Sequence, residues 1–329
     1  MLAASDTPLA PRPSSSPAAA AHDHSSTATT SSSSSSSGSS PREELWTSLP
    51  GSPRFTAAPH QIAGHLFERG KIGSLVCDDG YFYKPLQRGP RGVRERGFYE
   101  NLKDLPDDDS CENEESTSLL SDLSAFVPAF FGVVELGDIT YMKLEDVTRR
   151  YARPSIIDIK IGYQTWYPRE TDTHIEKCQV KDKATTTSEL GFKICGMQVY
   201  DTETENFWRA TKEWCKALDA ESVKTSLARF LNPSSPGLTA GDLCLGASGL
   251  VEEISKLERW CERQRRFHFY SASLLVLYEG SATCAEDLKL RCKLIDFAHA
   301  HGAHTRDDNF ISGLSSLRAT ISGLAQPKD

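Results

Sequence analysis

Residues 154–162 read Pro-Ser-Ile-Ile-Asp-Ile-Lys-Ile-Gly. Side chains alternate along a strand, so Asp158 and Lys160 project together while Ile157, Ile159 and Ile161 turn to the opposite face. So apolar a run, bounded by Pro and Gly, predicts a buried strand. The carboxylate and ammonium within it are either an ion pair or the working groups of a site. Pro154 fixes the chain before the strand, and Gly162 lets backbone or ligand come close after it, which favours the site.

The surrounding chain is large enough to bury such a strand. It has 329 residues, 38% of them hydrophobic and 25% charged, enough for one large domain or two lobes with a real core. A net charge of −8 argues against direct nucleic-acid binding, but not against a local basic pocket for a small anion. Nine Cys are scattered with no Cys-x-x-Cys pair. That pattern predicts reduced thiols in the nucleus or cytoplasm, with no disulfide framework and no structural zinc. No apolar run reaches the ~18 residues that a membrane span needs.

Residues 1–59 are rich in Ser, Ala and Pro, with Ser31–Ser37 unbroken, and predict a disordered tail; plastid targeting is the alternative, since the segment is Ser-rich and poor in acids. From His60 onward the composition is globular. Asp79-Gly80 between β-prone runs predicts a hairpin over 72–86, and a helix is expected over 92–103. The acidic stretch 107–118 reads as solvated, part of a loop over 104–118. Apolar runs at 126–136 and 139–147 predict strands. Helix is expected over 203–231, over 249–266 with Leu250, Ile254, Leu257 and Cys261 on one face, and over 310–324. Strands are expected at 269–279 and 290–297.

Three further stretches carry charges at the ends of apolar runs. Lys84 stands in Tyr-Phe-Tyr-Lys-Pro-Leu after the hairpin turn, where an ammonium is either a phosphate clamp or an exposed strand-end lysine. Asp296 stands in Leu-Ile-Asp-Phe-Ala-His, and such a carboxylate suits a hard cation such as Mg²⁺ or simply caps a turn. Tyr141–Thr148, Tyr-Met-Lys-Leu-Glu-Asp-Val-Thr, leads from a strand into a polar connection. Two basic strings, Arg88-Gly-Pro-Arg91-Gly-Val-Arg94 and Lys177-Cys-Gln-Val-Lys181-Asp-Lys183, are either solvated or gathered around a polyanion. His299, His301 and His304 invite a metal reading, but no Cys or carboxylate partner stands at a known spacing. No Walker A motif, Gly-x-Gly-x-x-Gly loop or His-Arg-Asp loop occurs.

The spacing Pro-x-x-x-Asp-x-Lys-x-Gly at 154–162 resembles the signature of the inositol polyphosphate kinase family. The Ile-Asp-Phe-Ala-His string at 295–299 is similar too, and weaker likeness runs from His60 to Leu324. Tyr-Gln-Thr-Trp-Tyr-Pro at 163–168 resembles the plant-type multikinases. The resemblance implies an α+β, two-lobed kinase. A protein-kinase-like first lobe (60–148) would bind nucleotide, a larger mixed lobe (149–329) would take inositol phosphate and metal, and the active site would lie between them. It implies ATP and Mg²⁺ as cofactors and inositol tris- and tetrakisphosphates as substrates, taken up to the pentakisphosphate. A kinase restricted to one position of inositol trisphosphate and a silent scaffold are the alternatives.

By the same resemblance Lys84 binds the nucleotide phosphates, Glu145 and Val147 offer main-chain hydrogen bonds to adenine, and Asp296 holds the metal. Asp158 orients the acceptor hydroxyl and meets the nucleotide, Lys160 stabilises charge on the phosphates and substrate, and Ser273 supports the site. Arg91, Lys177, Lys181, Lys183 and His299 bind the inositol phosphate, Lys183 being the first choice within its string. Gly97 in the helix after Lys84 costs ~1 kcal/mol of helix stability and weakens the expectation that Glu95 pairs with Lys84. No basic amphipathic helix stands in residues 1–59, so calmodulin control is not expected, and a monomer is.

Overall fold

The computed structural model describes residues 54–63, 73–103 and 114–326. Among these residues the first lobe is a five-stranded antiparallel sheet with two helices: β1 (Phe55–Ala57), β2 (Leu75–Cys77), β3 (Tyr81–Pro85), α1 (Pro90–Lys103), α2 (Glu114–Phe126), β4 (Phe130–Leu136) and β5 (Ile139–Glu145). The strand order is β1-β2-β3-β5-β4. The expected hairpin is β2–β3, and Gly80 takes the turn with φ +83°, a conformation costly for a side chain with a Cβ.

The second lobe is built on β6 (Pro154–Ile161). There follow α3 (Asp172–Lys183), α4 (Thr187–Leu190), β7 (Phe192–Asp201), β8 (Asn206–Arg209), α5 (Lys212–Ala217), α6 (Ala220–Leu231), α7 (Ala240–Cys244) and α8 (Leu250–Arg263). The chain closes with β9 (Phe267–Phe269), β10 (Ser273–Glu279), β11 (Arg291–Ile295), β12 (Ala300–Gly302) and α9 (Asp308–Ala325). The main sheet runs β11-β10-β6-β7-β8, all antiparallel, and β9 pairs with β12. β6 is its central strand, which accounts for its apolar composition. Ile157, Ile159 and Ile161 are buried in one core with α6, α8 and α9, leaving Asp158 and Lys160 on the other face.

Several sequence expectations are corrected. Residues 55–57 belong to the sheet and not to the tail: β1 pairs with β2, and Phe55 meets Tyr83 edge-on at 5.0 Å. Residues 1–53 lie outside the described residues, as do 104–113 of the acidic loop. From Glu114 onward that loop is helix α2, because Leu120, Leu123 and Phe126 at three-residue spacing bury one stripe. The following strand accordingly starts at Phe130. Residues 203–231 are not one helix: Phe207 and Trp208 lie in β8, and α5 and α6 follow, separately capped by Thr211 and by an Asp219–Ser222 capping box. The strand expected at 269–279 breaks at Ser271 (φ +60°), and the strand at 290–297 ends before Asp296 (φ +68°). Both interruptions face the cavity between the two sheets.

Helix α9 sits close on the end of β6. A Cβ at Gly313 would fall 2.5 Å from the Gly191 carbonyl oxygen and 2.6 Å from the Gly162 nitrogen, both backbone atoms that cannot swing aside. Gly313→Ala should therefore lower stability by roughly 1–3 kcal/mol, read as a reduced Tm. An unchanged Tm would show that α9 does not pack so tightly.

Candidate active site

The nucleus of the site is Lys84. It lies near the end of β3, pairs in register with Met142, and its Nζ donates to Glu95 Oε1 at 2.6 Å and to Asp296 Oδ1 at 2.5 Å. Burial alone would lower this ammonium's pKa, but the Asp296 and Glu95 carboxylates outweigh it and raise the value far above the usual lysine range. Glu95 is fully buried on α1, so Gly97 has not loosened the pair. The helix is held by aromatic packing one turn on: Phe98 stacks on Phe297 at 3.9 Å, and Tyr99 meets the same ring edge-on at 5.4 Å. Phe297 follows Asp296 directly. The same contact that steadies Glu95 thus seats the metal-ligand candidate, whose left-handed backbone is a strain of order 1 kcal/mol.

Asp158 lies 5% exposed on β6, between Leu275 of β10 and Gly196 of β7. Its Oδ1 has no hydrogen-bond partner. Burial, then the charge of Asp296, pushes its pKa up to about 6, partly offset by the Lys160 and Lys84 charges. Two residues on, Lys160 Nζ donates to the Ser271 carbonyl oxygen at 2.7 Å, and Ser271 Oγ donates to the Thr165 carbonyl oxygen at 3.0 Å. The break at Ser271 therefore turns a carbonyl toward Lys160. Ser273, expected to support the site, is buried beside Asp158, with its Oγ unbonded.

These groups line one cavity of about 370 Å³ between the two sheets. Its walls hold Lys84, Glu145, Val147, Asp158, Lys160, Asp296, Arg91 and His299, with Phe82, Leu144, Ile156, Leu275 and Ile295 forming an apolar slot. The Glu145 amide donates to the Ala129 carbonyl oxygen at 2.8 Å, and its carboxylate pairs with Arg291 at 2.7 Å. An adenine would thus take its amide donor from elsewhere on this wall, where Val147 stands. Residues 60–63 also line the cavity and are tied to the second lobe: Gln198 Nε2 lies 3.1 Å from His60 Nδ1, and Arg209 donates to the Pro59 carbonyl oxygen at 3.2 Å.

The second basic string lies elsewhere. Lys177, Lys181 and Lys183 are exposed on α3 and do not line the cavity. Asp182 turns inward instead, accepting from the Thr165 amide at 3.1 Å and hydroxyl at 2.7 Å, which sends its neighbours in sequence outward. Lys181 is the one whose charge is felt inside, at Lys193 and Cys178.

Around His299 the fold supplies a partner that no sequence spacing revealed. The donor atoms of Glu170, His299 and His301 lie within 4.8 Å of one another. A metal is disfavoured there by charge. The Arg94 guanidinium donates to the Ala298 carbonyl oxygen at 3.0 Å, lies 3.4 Å from His301 Nε2 and reaches Glu170 at 4.0 Å. Burial, followed by Arg91, Arg94 and Lys160, pushes the pKa of His299 down to about 4, while burial and Arg94 do the same for His301. A field that repels a proton repels a dication and attracts a phosphate. Arg91 makes no hydrogen bond or ion pair among the described residues, and His299 Nδ1 is buried without a partner. His304 stands apart, beside Arg265 and Arg266 on the surface.

Known proteins match this arrangement. A family model described as inositol polyphosphate kinase matches residues 141–322. Inositol polyphosphate multikinase beta of Arabidopsis thaliana is 35% identical over 292 residues, 81% of this chain and 92% of that protein. The inositol polyphosphate multikinase of Homo sapiens is 32% identical over 230 residues, 68% of this chain and 51% of that protein. A solved inositol phosphate multikinase superposes with a TM-score of 0.57 at 30% identity, covering 69% of this chain and 98% of that one. Ipk2 of S. cerevisiae, solved with ADP and Mn²⁺, gives a TM-score of 0.58 at 19% identity over 75% of this chain and 99% of that one, a likeness of fold.

The raised pKa of Asp158 makes a stability prediction. Its folded value of about 6 lies above the ordinary 3.8, so the native state holds a proton that the unfolded state has lost between those values. Stability contributed by the neutral acid is full below pH 3.8 and is lost as pH rises through about 6. Asp158→Asn should therefore stabilise the fold at pH 8, by about 3 kcal/mol, with the gain vanishing near pH 4. Equal Tm at pH 8 would contradict the desolvated carboxylate.

Proposed function

This chain belongs to the inositol polyphosphate kinase family, and from that premise we propose that it is an ATP-dependent multikinase that phosphorylates inositol tris- and tetrakisphosphates toward the pentakisphosphate. The observation that carries the reading is the meeting of Lys84, Asp158 and Asp296 on one cavity wall from β3, β6 and the end of β11. The donor set fits a nucleotide with a divalent cation: two carboxylates close enough that the charge of Asp296 raises the Asp158 pKa, an unbonded carboxylate oxygen, and a lysine beside both. Such a cation would neutralise phosphate charge and would be held by Asp296.

The chain's own residues account for the rest. Lys84, fixed by Glu95, presents a permanent positive charge to the nucleotide phosphates. The apolar slot takes the base. Asp158, titrating near 6, is ionised at neutral pH but basic enough to accept a hydrogen bond from the acceptor hydroxyl and help remove its proton. Lys160, held by the Ser271 carbonyl, stabilises the charge that builds on the transferring phosphoryl group. Arg91 and neutral His299 hold the ring phosphates. Catalysis is then positioning and charge neutralisation, with no covalent intermediate on the protein.

Incubation with γ-labelled ATP and a panel of inositol phosphates, resolved by isomer, tests the reading. Stepwise labelling of tris- and tetrakisphosphates is expected; a single labelled position would mean a position-specific kinase, and no labelling a binding scaffold. Asp158→Ala and Asp296→Ala should each lose turnover by about a hundredfold or more with folding intact. The wild-type rate should fall as pH drops through about 6, where Asp158 takes up its proton. Normal turnover in either variant would refute the assigned roles.

A further inference from the structure

Strand β7 runs beside β6 with a shift in register between Asp158 and Ile159, where the pairing passes from Asp158↔Gly196 to Ile159↔Ile194. One consequence is that Lys193 lies directly opposite Lys160. Paired residues of adjacent strands share a face, so the two ammonium-bearing side chains rise on the same side of the sheet. Cys195, next on that face, feels the charges of Asp158, Lys160 and Lys193 together, which places all four around one point.

Two cations side by side on a sheet repel each other unless an anion joins them. Lys160 has a partner, the Ser271 carbonyl oxygen. Lys193 is half-buried, and its side chain makes no hydrogen bond or ion pair among the described residues. Asp182, a carboxylate whose charge it feels, is engaged by both the amide and the hydroxyl of Thr165. Burial, and the charges of Lys160 and Lys181, work against the protonated form of Lys193, while Cys195 and Asp182 favour it.

We propose that Lys193 is a specificity-determining residue: with Lys160 it forms a two-cation floor that binds a ring phosphate of the acceptor, one that is not being transferred. The inference rests on the kinase reading above and refines it, since such a floor favours acceptors carrying more phosphates. It assigns the side of the ring away from the nucleotide to β7, at a position that shows no motif.

Calorimetric titration of the full chain with an inositol tetrakisphosphate, without nucleotide, reads the contact separately from turnover. A charge-assisted contact is worth enough that Lys193→Met should weaken binding about tenfold, with Lys193→Arg retaining near wild-type affinity. The KM for ATP and the Tm should stay unchanged in both, and the loss should be smaller for a trisphosphate. Lys193→Gln serves the same reading if the Met variant does not fold. Equal affinity of the wild type and the uncharged variant would overturn the proposal. So would a loss of kcat and of ATP affinity in step with a lower Tm, because that marks a structural role. Failure of the kinase reading shows separately, as absence of labelled product from the wild type.

Discussion

One ammonium group holds the site together. Lys84 reaches Glu95, 11 residues on, and Asp296, 212 residues on, at hydrogen-bond distance. Through those contacts a strand of the first lobe, a helix packed beside it and the end of a second-lobe strand converge on one point. A lysine removed from water needs compensating charge, and a carboxylate buried as deeply as Glu95 needs a cation. The Glu95 pair forms within the first lobe, while the Asp296 contact joins Lys84 to the second, so the site is complete only when the lobes meet. The Phe98–Phe297 stack supplies an apolar part of the same junction.

The electrostatic layout divides the cavity. Toward Asp296 and Asp158 the groups are acidic, and the charge of Asp296 helps raise the Asp158 pKa, a setting suited to a cation and to proton transfer. Toward Arg91 and Lys160 they are basic, and these two, with Arg94 nearby, depress His299, a setting suited to phosphates. The net charge of −8 therefore describes the protein as a whole and says little about its pocket. Asp158 and Lys160 stand where the two regions meet, two residues apart on one strand, and this is the position a transferring phosphoryl group would occupy.

Much of this was legible in the sequence because it depends on local pattern. The alternation at 154–162 decided which side chains face the cavity, Asp-Gly decided the hairpin, and apolar runs ending at Lys84 and Asp296 marked strand ends where charge meets a cleft. What escaped was decided by distant partners. The helix at 114–126 is hidden by acidic residues around a narrow apolar stripe. Residues 206–209 form a strand only because the edge of β7 is there to receive them. The α3 lysines face away because Asp182, between two of them, bonds to Thr165. Glu170 and Lys193 acquire their surroundings from loop closure and strand register, neither of which leaves a motif. The left-handed turns at Ser271 and Asp296 broke expected strands at the points where the site needed a carbonyl and a carboxylate redirected.

The central claim is that Lys84 lies against the phosphates of a bound nucleotide while held by Glu95 and Asp296. It is tested most directly by labelling the protein with a lysine-reactive acyl phosphate of ATP and locating the modified residue by mass spectrometry. The account predicts acylation at Lys84, suppressed by excess Mg·ATP. Modification confined to other lysines, or labelling of Lys84 that Mg·ATP leaves unchanged, would contradict it.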